Sequence, residues 1–219
     1  PVQSIVVDST GNVGIGTATP GAKLDVSAGN IDIDNTTNAN QYGIITKNGG
    51  TRFIHNFNYG NNGTVTTSGY NTFVGENAGN LTMGSTATAA NEGSYNTVVG
   101  NSALVNNTTG YSNTANGTQS LYSNTTGNNN TANGRNSLYS NTTGYSNTAN
   151  GLNSLYSNTT GYSNTANGMQ SLYSNTTGNS NTANGRNSLY SNTTGYSNTA
   201  NGLNSLYSNT TGYSNTANG

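Results

Sequence analysis

The chain has 219 residues, five Lys and Arg against six Asp and Glu, a net charge of −1 and only 5% charged residues. That balance leaves no basic footprint for nucleic acid and no acidic tail. Hydrophobic residues reach 29%, much of it Tyr and Ala, and Trp and Cys are absent. A deep Leu/Ile/Val/Phe core, disulfides and thiolate metal sites are therefore excluded.

Residues 5–33 alternate apolar and polar positions between turn residues. They predict four short strands, at Ile5–Val7, Val13–Ile15, Leu24–Val26 and 31–33. Ser9-Thr10-Gly11-Asn12 reads as a hairpin loop and Thr19-Pro20-Gly21 as a turn, which makes residues 1–34 a stem module of β-hairpin type. Residues 35–40 are a polar linker. Runs at 42–46 and 51–56 predict a second hairpin around Lys47-Asn48-Gly49-Gly50, so residues 35–68 form a linker and hairpin region. Pro1 in place of an initiator Met points to a processed or partial chain. No signal peptide is visible, and no run approaches the ~20 apolar residues of a membrane span.

From about residue 69 the chain repeats itself. NTFVGENAGNLTMG (71–84) is followed by an irregular stretch, 85–92, that reads as a loop. NTVVGNSALVNNTTG (96–110) is a second degenerate copy. Near-perfect 17-residue units run from 118 to 219 as two 51-residue blocks, which differ only at Thr118/Met169 and Asn129/Ser180. Three columns mark the period: Leu121, Leu138, Leu155, Leu172, Leu189 and Leu206; Tyr122, Tyr139, Tyr156, Tyr173, Tyr190 and Tyr207; and Gly117, Gly134, Gly151, Gly168, Gly185 and Gly202. A copied unit lengthens an array without adding chemistry, because a catalytic site needs unlike residues converging on one point.

Seventeen residues are too few for a helical-hairpin repeat. Thr, Ser, Asn and Gly are poor helix formers with no 3.6 period. Two short extended runs per unit, N-T-A-N and S-L-Y-S, fit better, with corners at Asn-Gly and Thr-Thr-Gly. The expected fold is all-β: short N-terminal strand and hairpin modules, then a β-solenoid or β-roll of about 17 residues per coil over 69–219. Stacked coils align identical side chains into an apolar Leu/Ala seam, amide ladders and Tyr columns. The inward residue of N-T-A-N stays open between Thr, Ala and Asn. Phe73-Val74 and Val98-Val99 put apolar side chains on both faces of a strand, which points to burial against another chain. The competing reading of such composition is disorder, and the fixed Leu, Tyr and Gly columns oppose it.

GNVGIGTATPGAKLDV resembles a module of phage tail-fibre stems and related bacterial surface proteins, many of which end in an intramolecular chaperone. The NTxxG copies resemble the repeats of the same proteins and, more loosely, the β-roll heads of trimeric autotransporter adhesins. The resemblance implies a homotrimeric, extended β fibre, extracellular on a cell surface or virion.

Candidate chemistry is sparse. Gly14-Ile15-Gly16 lacks the G-x-x-G continuation and helix of a nucleotide loop. His55, the single histidine, has no cluster of partners, and no Ser/His/Asp set can be built from it. Asp25, Asp32 and Asp34 suit exposed strand positions better than a cation site. No cofactor and no enzymatic activity are expected. Asn124, Asn141, Asn158, Asn175, Asn192 and Asn209 each open an Asn-Thr-Thr sequon at a corner and are candidate glycan acceptors. Repeated Thr suggests an ice-binding face, but N-T-A-N supplies no T-x-T row. Exposed Tyr and Asn columns suit surface glycans. The expected functions are a structural fibre, an adhesin whose repeats bind carbohydrate, or a filament whose subunits stack end to end through unpaired edges.

Overall fold

The computed structural model describes residues 5–26, 45–47 and 51–219. It divides into two compact units, 1–34 and 35–219. The strand expected at 31–33, the linker at 35–40, residues 42–44 and the loop residues 48–50 lie outside the described residues, as do Asp32 and Asp34.

In the first unit, β1 (Ile5–Val7) pairs antiparallel with β2 (Val13–Ile15), and β2 pairs parallel with β3 (Leu24–Val26). The hairpin loop is held by Asp8, whose carboxylate accepts from Thr10 N–H, the Thr10 hydroxyl and Asn12 N–H. Those donors, the Asn12 amide foremost, hold the Asp8 carboxyl below its usual range. Gly14-Ile15-Gly16 is strand followed by a turn, with Gly16 at φ 75°, and no helix follows.

The second unit is built around one sheet. Among the described residues it has eleven strands. β4 (Ile45–Lys47) and β5 (Thr51–His55) form a hairpin, and β5 pairs antiparallel with β6 (Thr72–Val74). From β6 onward every pairing is parallel: β7 (Thr97–Val99), β8 (Thr114–Asn116), β9 (Thr131–Asn133), β10 (Thr148–Asn150), β11 (Thr165–Asn167), β12 (Thr182–Asn184), β13 (Thr199–Asn201) and β14 (Thr216–Asn218). Pairing is in register, Thr on Thr, Ala on Ala and Asn on Asn. The fold is a β-solenoid, and the expected hairpin after residue 35 joins its first coil as the same sheet.

One expectation fails. S-L-Y-S is not a second strand. In a strand, amides two residues apart point the same way. Here Asn153 N–H donates back to Arg135 O while Leu155 N–H donates forward to Ser171 O. The backbone reverses because both residues are left-handed, Asn153 at φ 56° and Leu155 at φ 49°. The same pair recurs from Gln119 and Leu121 to Asn204 and Leu206. A leucine in this region is disfavoured by contact between its Cβ and the backbone. Burial of the whole side chain offsets that cost, since Leu121 to Leu189 are fully buried.

The strand question is settled by burial. Ala points inward, Thr and Asn outward. The inward column narrows from Phe73 through Val98 to Ala115 and then stays Ala to Ala200. The first turn is wider because it runs 25 residues from Asn71 to Asn96, and it encloses Phe57, Phe73 and Met83. At the Asn-Gly corner, Gly151 adopts φ 136°, and a Cβ there would meet the Gly168 carbonyl at 2.7 Å.

Candidate functional site

The repeats place two asparagine ladders inside the solenoid. The first runs through Asn71, Asn96, Asn113, Asn130, Asn147, Asn164, Asn181, Asn198 and Asn215, each immediately before a strand. Asn147 N–H and Nδ2 both donate to Asn130 Oδ1, at 3.0 and 3.2 Å, and Nδ2 also donates to Gly161 O at 2.8 Å. The second is the set expected to carry glycans. Asn158 Nδ2 donates to Asn141 Oδ1 at 2.8 Å and to Gly161 O at 3.0 Å, while its own Oδ1 accepts from Asn175 Nδ2.

Asn124, Asn141, Asn158, Asn175 and Asn192 are fully buried, and Asn209 is partly buried in the same ladder. The glycan-acceptor assignment is therefore corrected for the folded state. The nitrogen that would carry the sugar faces the interior and spends both hydrogens on the ladder. The sequon alone gives no sign of this, because the corner turns its asparagine inward.

Outside, a third ladder follows the strands, with Asn150 Nδ2 donating to Asn167 Oδ1 at 2.8 Å. The Tyr122 column stacks without interruption to Tyr207, ring centroids 5.0–5.2 Å apart and planes within 6°. Tyr173, at mid-column, has its phenol pushed up, first by burial and then by its tyrosine neighbours. A second column, Tyr145–Tyr162 and Tyr196–Tyr213, is interrupted by Asn179. In the second column each ring is stacked on one partner, whereas rings inside the first press both faces on neighbours. Solvent meets only the edges and hydroxyls of those first-column rings, so they offer little face for stacking on a sugar.

His55 is structural. It is 3% exposed, its ring stacks on Phe73 at 4.6 Å, and Nε2–H donates to Ala78 O at 2.9 Å. Burial lowers its pKa to about 4, opposed by the Ala78 bond and reinforced by the Arg52 charge. An unfolded histidine titrates near ~6.5. Between those values the unfolded chain binds more protons, so stability is complete above the upper value and is lost as pH falls toward the lower one. Amide exchange around the β5–β6 pairing, corrected for its intrinsic pH dependence, is expected to accelerate between pH ~6.5 and ~4.5. A His55→Phe variant, which keeps the stack, is expected to lose that dependence.

Among the described residues, no group of three or more His, Asp or Glu is placed to hold a metal ion, and no helix is long and apolar enough to cross a membrane. The arrangement defines a β-solenoid with amide-laddered coils. Compared with protein-family models, curated proteins and solved structures, the chain matches none.

Proposed function

We propose that the chain is a non-enzymatic structural fibre or filament protein of a cell surface or virion, in which the solenoid provides stiff reach. The observation that carries this reading is the in-register pairing of identical coils across both 51-residue blocks. Adding a block adds coils and leaves the cross-section unchanged. The resemblance of GNVGIGTATPGAKLDV to tail-fibre stems agrees with it. Deleting residues 118–168 tests it. Three coils are removed, and the particle in electron micrographs is expected to shorten by about 14 Å at ~4.8 Å per coil while keeping its width. A collapsed or unchanged particle would sink the spacer role.

Self-association belongs to the same proposal. Ile45, Ile54, Val74 and Val99 lie opposite one another on adjacent strands. Ile45, Ile54 and Val99 are 42%, 37% and 44% exposed. The next residue across is Asn116, and the column remains Asn thereafter. This outward apolar stripe on the first strands suits burial against further copies, with a homotrimer as the expected assembly. Light scattering is expected to give about three times the 22.4 kDa chain mass. Val99→Asn extends the outer ladder and fits the fold, and it is expected to shift the mass toward the monomer. A monomeric parent, or a Val99→Asn variant with unchanged mass, would count against the interface.

A second reading, an adhesin, is supported by the exposed phenol hydroxyls and outer amides of the columns. End-to-end polymerisation into a filament is the third, and the same micrographs distinguish it by indefinite length.

A further inference from the structure

Away from the columns, at the wide first turn of the solenoid, an open pocket of about 250 Å³ is lined by Asn56, Asn58, Ser68, Tyr70 and Asn71. We propose that it is a binding site for a neutral pyranose sugar, with Tyr70 as the stacking platform and Asn58 and Ser68 as the polar contacts.

Three observations converge. The first is the aromatic face. Tyr70 stacks on Tyr95 with centroids 5.6 Å apart, yet it is 79% exposed. One face of the ring is occupied and the other is open. Tyrosines inside the Tyr122–Tyr207 column have neighbours on both faces, and the paired rings of the second column are less exposed, Tyr162 at 36% and Tyr213 at 60%. A flat, open aromatic face next to polar groups suits the C–H face of a pyranose.

The second is backbone strain. Tyr70 sits at φ 55° and Tyr95 at φ 60°. At the equivalent position the later coils carry small polar residues: Ser112, Asn129, Ser146, Ser163, Ser180, Ser197 and Ser214, all at φ 53–56°. Asparagine tolerates the left-handed region well, and a bulky aromatic is the unusual occupant. The fold needs no tyrosine there, since the other coils form without one. Strain retained against a cheaper alternative points to use.

The third is the polar lining. Asn71 is fully engaged: Nδ2 donates to Phe57 O and Gly93 O, and Oδ1 accepts from Asn96. It forms a fixed floor. Asn58 Oδ1 accepts from Gly60 N–H and the Thr67 hydroxyl, which orients the amide. Among the described residues, Asn58 Nδ2, the Ser68 hydroxyl and the Tyr70 hydroxyl have no protein partner. No lining residue carries a formal charge at neutral pH. Fixed amide and hydroxyl groups without charge select a neutral polyhydroxylated ligand over a phosphate, a carboxylate or a cation.

The site lies within one chain and does not rest on the fibre reading or on oligomerisation. The probe is saturation-transfer NMR with the methyl pyranosides of glucose, galactose, mannose and N-acetylglucosamine at about 10 mM, suited to the millimolar affinity of a small open site. Transfer to the ring C–H protons of at least one glycoside is expected. Tyr70→Ser installs the residue of the later coils, so folding is retained, and it is expected to cut the transfer at least about fivefold. Tyr162→Ser, within a column, is expected to leave it unchanged. A parallel arm offers the responding sugar as a glycolipid in phosphatidylcholine vesicles. Binding in both arms assigns a surface glycan, and binding in solution alone assigns a free saccharide. Absence of transfer from all four glycosides, or undiminished transfer in Tyr70→Ser, would overturn the proposal.

Discussion

Replacing Gly144 with alanine is expected to open the solenoid between two coils, at a cost of roughly 3 kcal/mol or more. Gly144 is not required for its φ, because it is absent from the left-handed set that includes Gly134 and Gly151. The requirement is proximity. An added methyl would collide with Asn141 Oδ1, meet Gly161 O at 2.5 Å and approach Asn158 Nδ2 at 2.8 Å. None of these atoms can yield cheaply. Gly161 O is backbone, and both amides are fixed in the buried ladder. Relief comes only by separating the coils, which weakens Thr142, Thr143 and Gly144 N–H, all donated to Thr159 O.

A stacked array unfolds in parts, so a global midpoint is a poor readout. Position-resolved hydrogen exchange is the better measurement. The amides of Thr142 and Gly144 are expected to exchange about a hundredfold faster, while those near Thr199 change little. Thr143→Ala, at an exposed neighbouring site, is the control. Equal exchange in both variants would show that the coil spacing is not set by this glycine.

The coil period was legible in the sequence because Leu, Tyr and Gly recur with no slippage, and stacking identical coils is the only economical use of such a repeat. The three strands found in the first unit were legible from alternation alone. Three features were not. The first is the S-L-Y-S turn. Tyrosine favours strands, and nothing local announces that Leu155 is left-handed. That conformation is imposed by the need to bring Leu inward within a coil that has a single three-residue strand. The second is the sidedness of asparagine. Asn141 and Asn150 are the same residue type, nine positions apart, yet one is fully buried and the other faces outward. Their roles separate only once the corner glycine brings Asn141 within reach of the Gly144 carbonyl, at 3.0 Å. The pocket beside Tyr70 was hidden for a related reason. Its residues come from 56–58 and 68–71, on either side of a loop whose path no periodicity describes.

Asn158→Ala is expected to destabilise its coil by about 3–5 kcal/mol, more than an apolar truncation of similar size on the surface. Gly161 O keeps its second donor, Asn147 Nδ2, but two buried groups are left short: Asn141 Oδ1 loses its donor, and one N–H of Asn175 Nδ2 loses its acceptor while the other stays on Gly178 O. Each costs roughly 1–3 kcal/mol where water cannot replace it. Asn167→Ala in the outer ladder removes two equally short bonds, 2.8 Å from Asn150 and 2.8 Å to Asn184, from a partly exposed site. Water takes over there, and the expected loss is below about 1 kcal/mol.

Asn158→Asp sharpens the test. It keeps the shape, removes both donors and buries a charge, so at neutral pH it is expected to be worse than alanine. Burial raises the pKa of the new carboxyl above its ordinary ~3.9, so protonation on acidification restores one donor and part of the stability. Hydrogen exchange at Leu155 and Leu172, whose amides span adjacent coils, reads all three variants. If Asn158→Ala matched Asn167→Ala, the inner ladder would be a passenger and the apolar seam alone would hold the coils. If the order is as expected, the near identity of the repeats has a physical cause. An amide in this interior is satisfied only by another amide directly above and below it, so one coil cannot drift in sequence without stranding its neighbours.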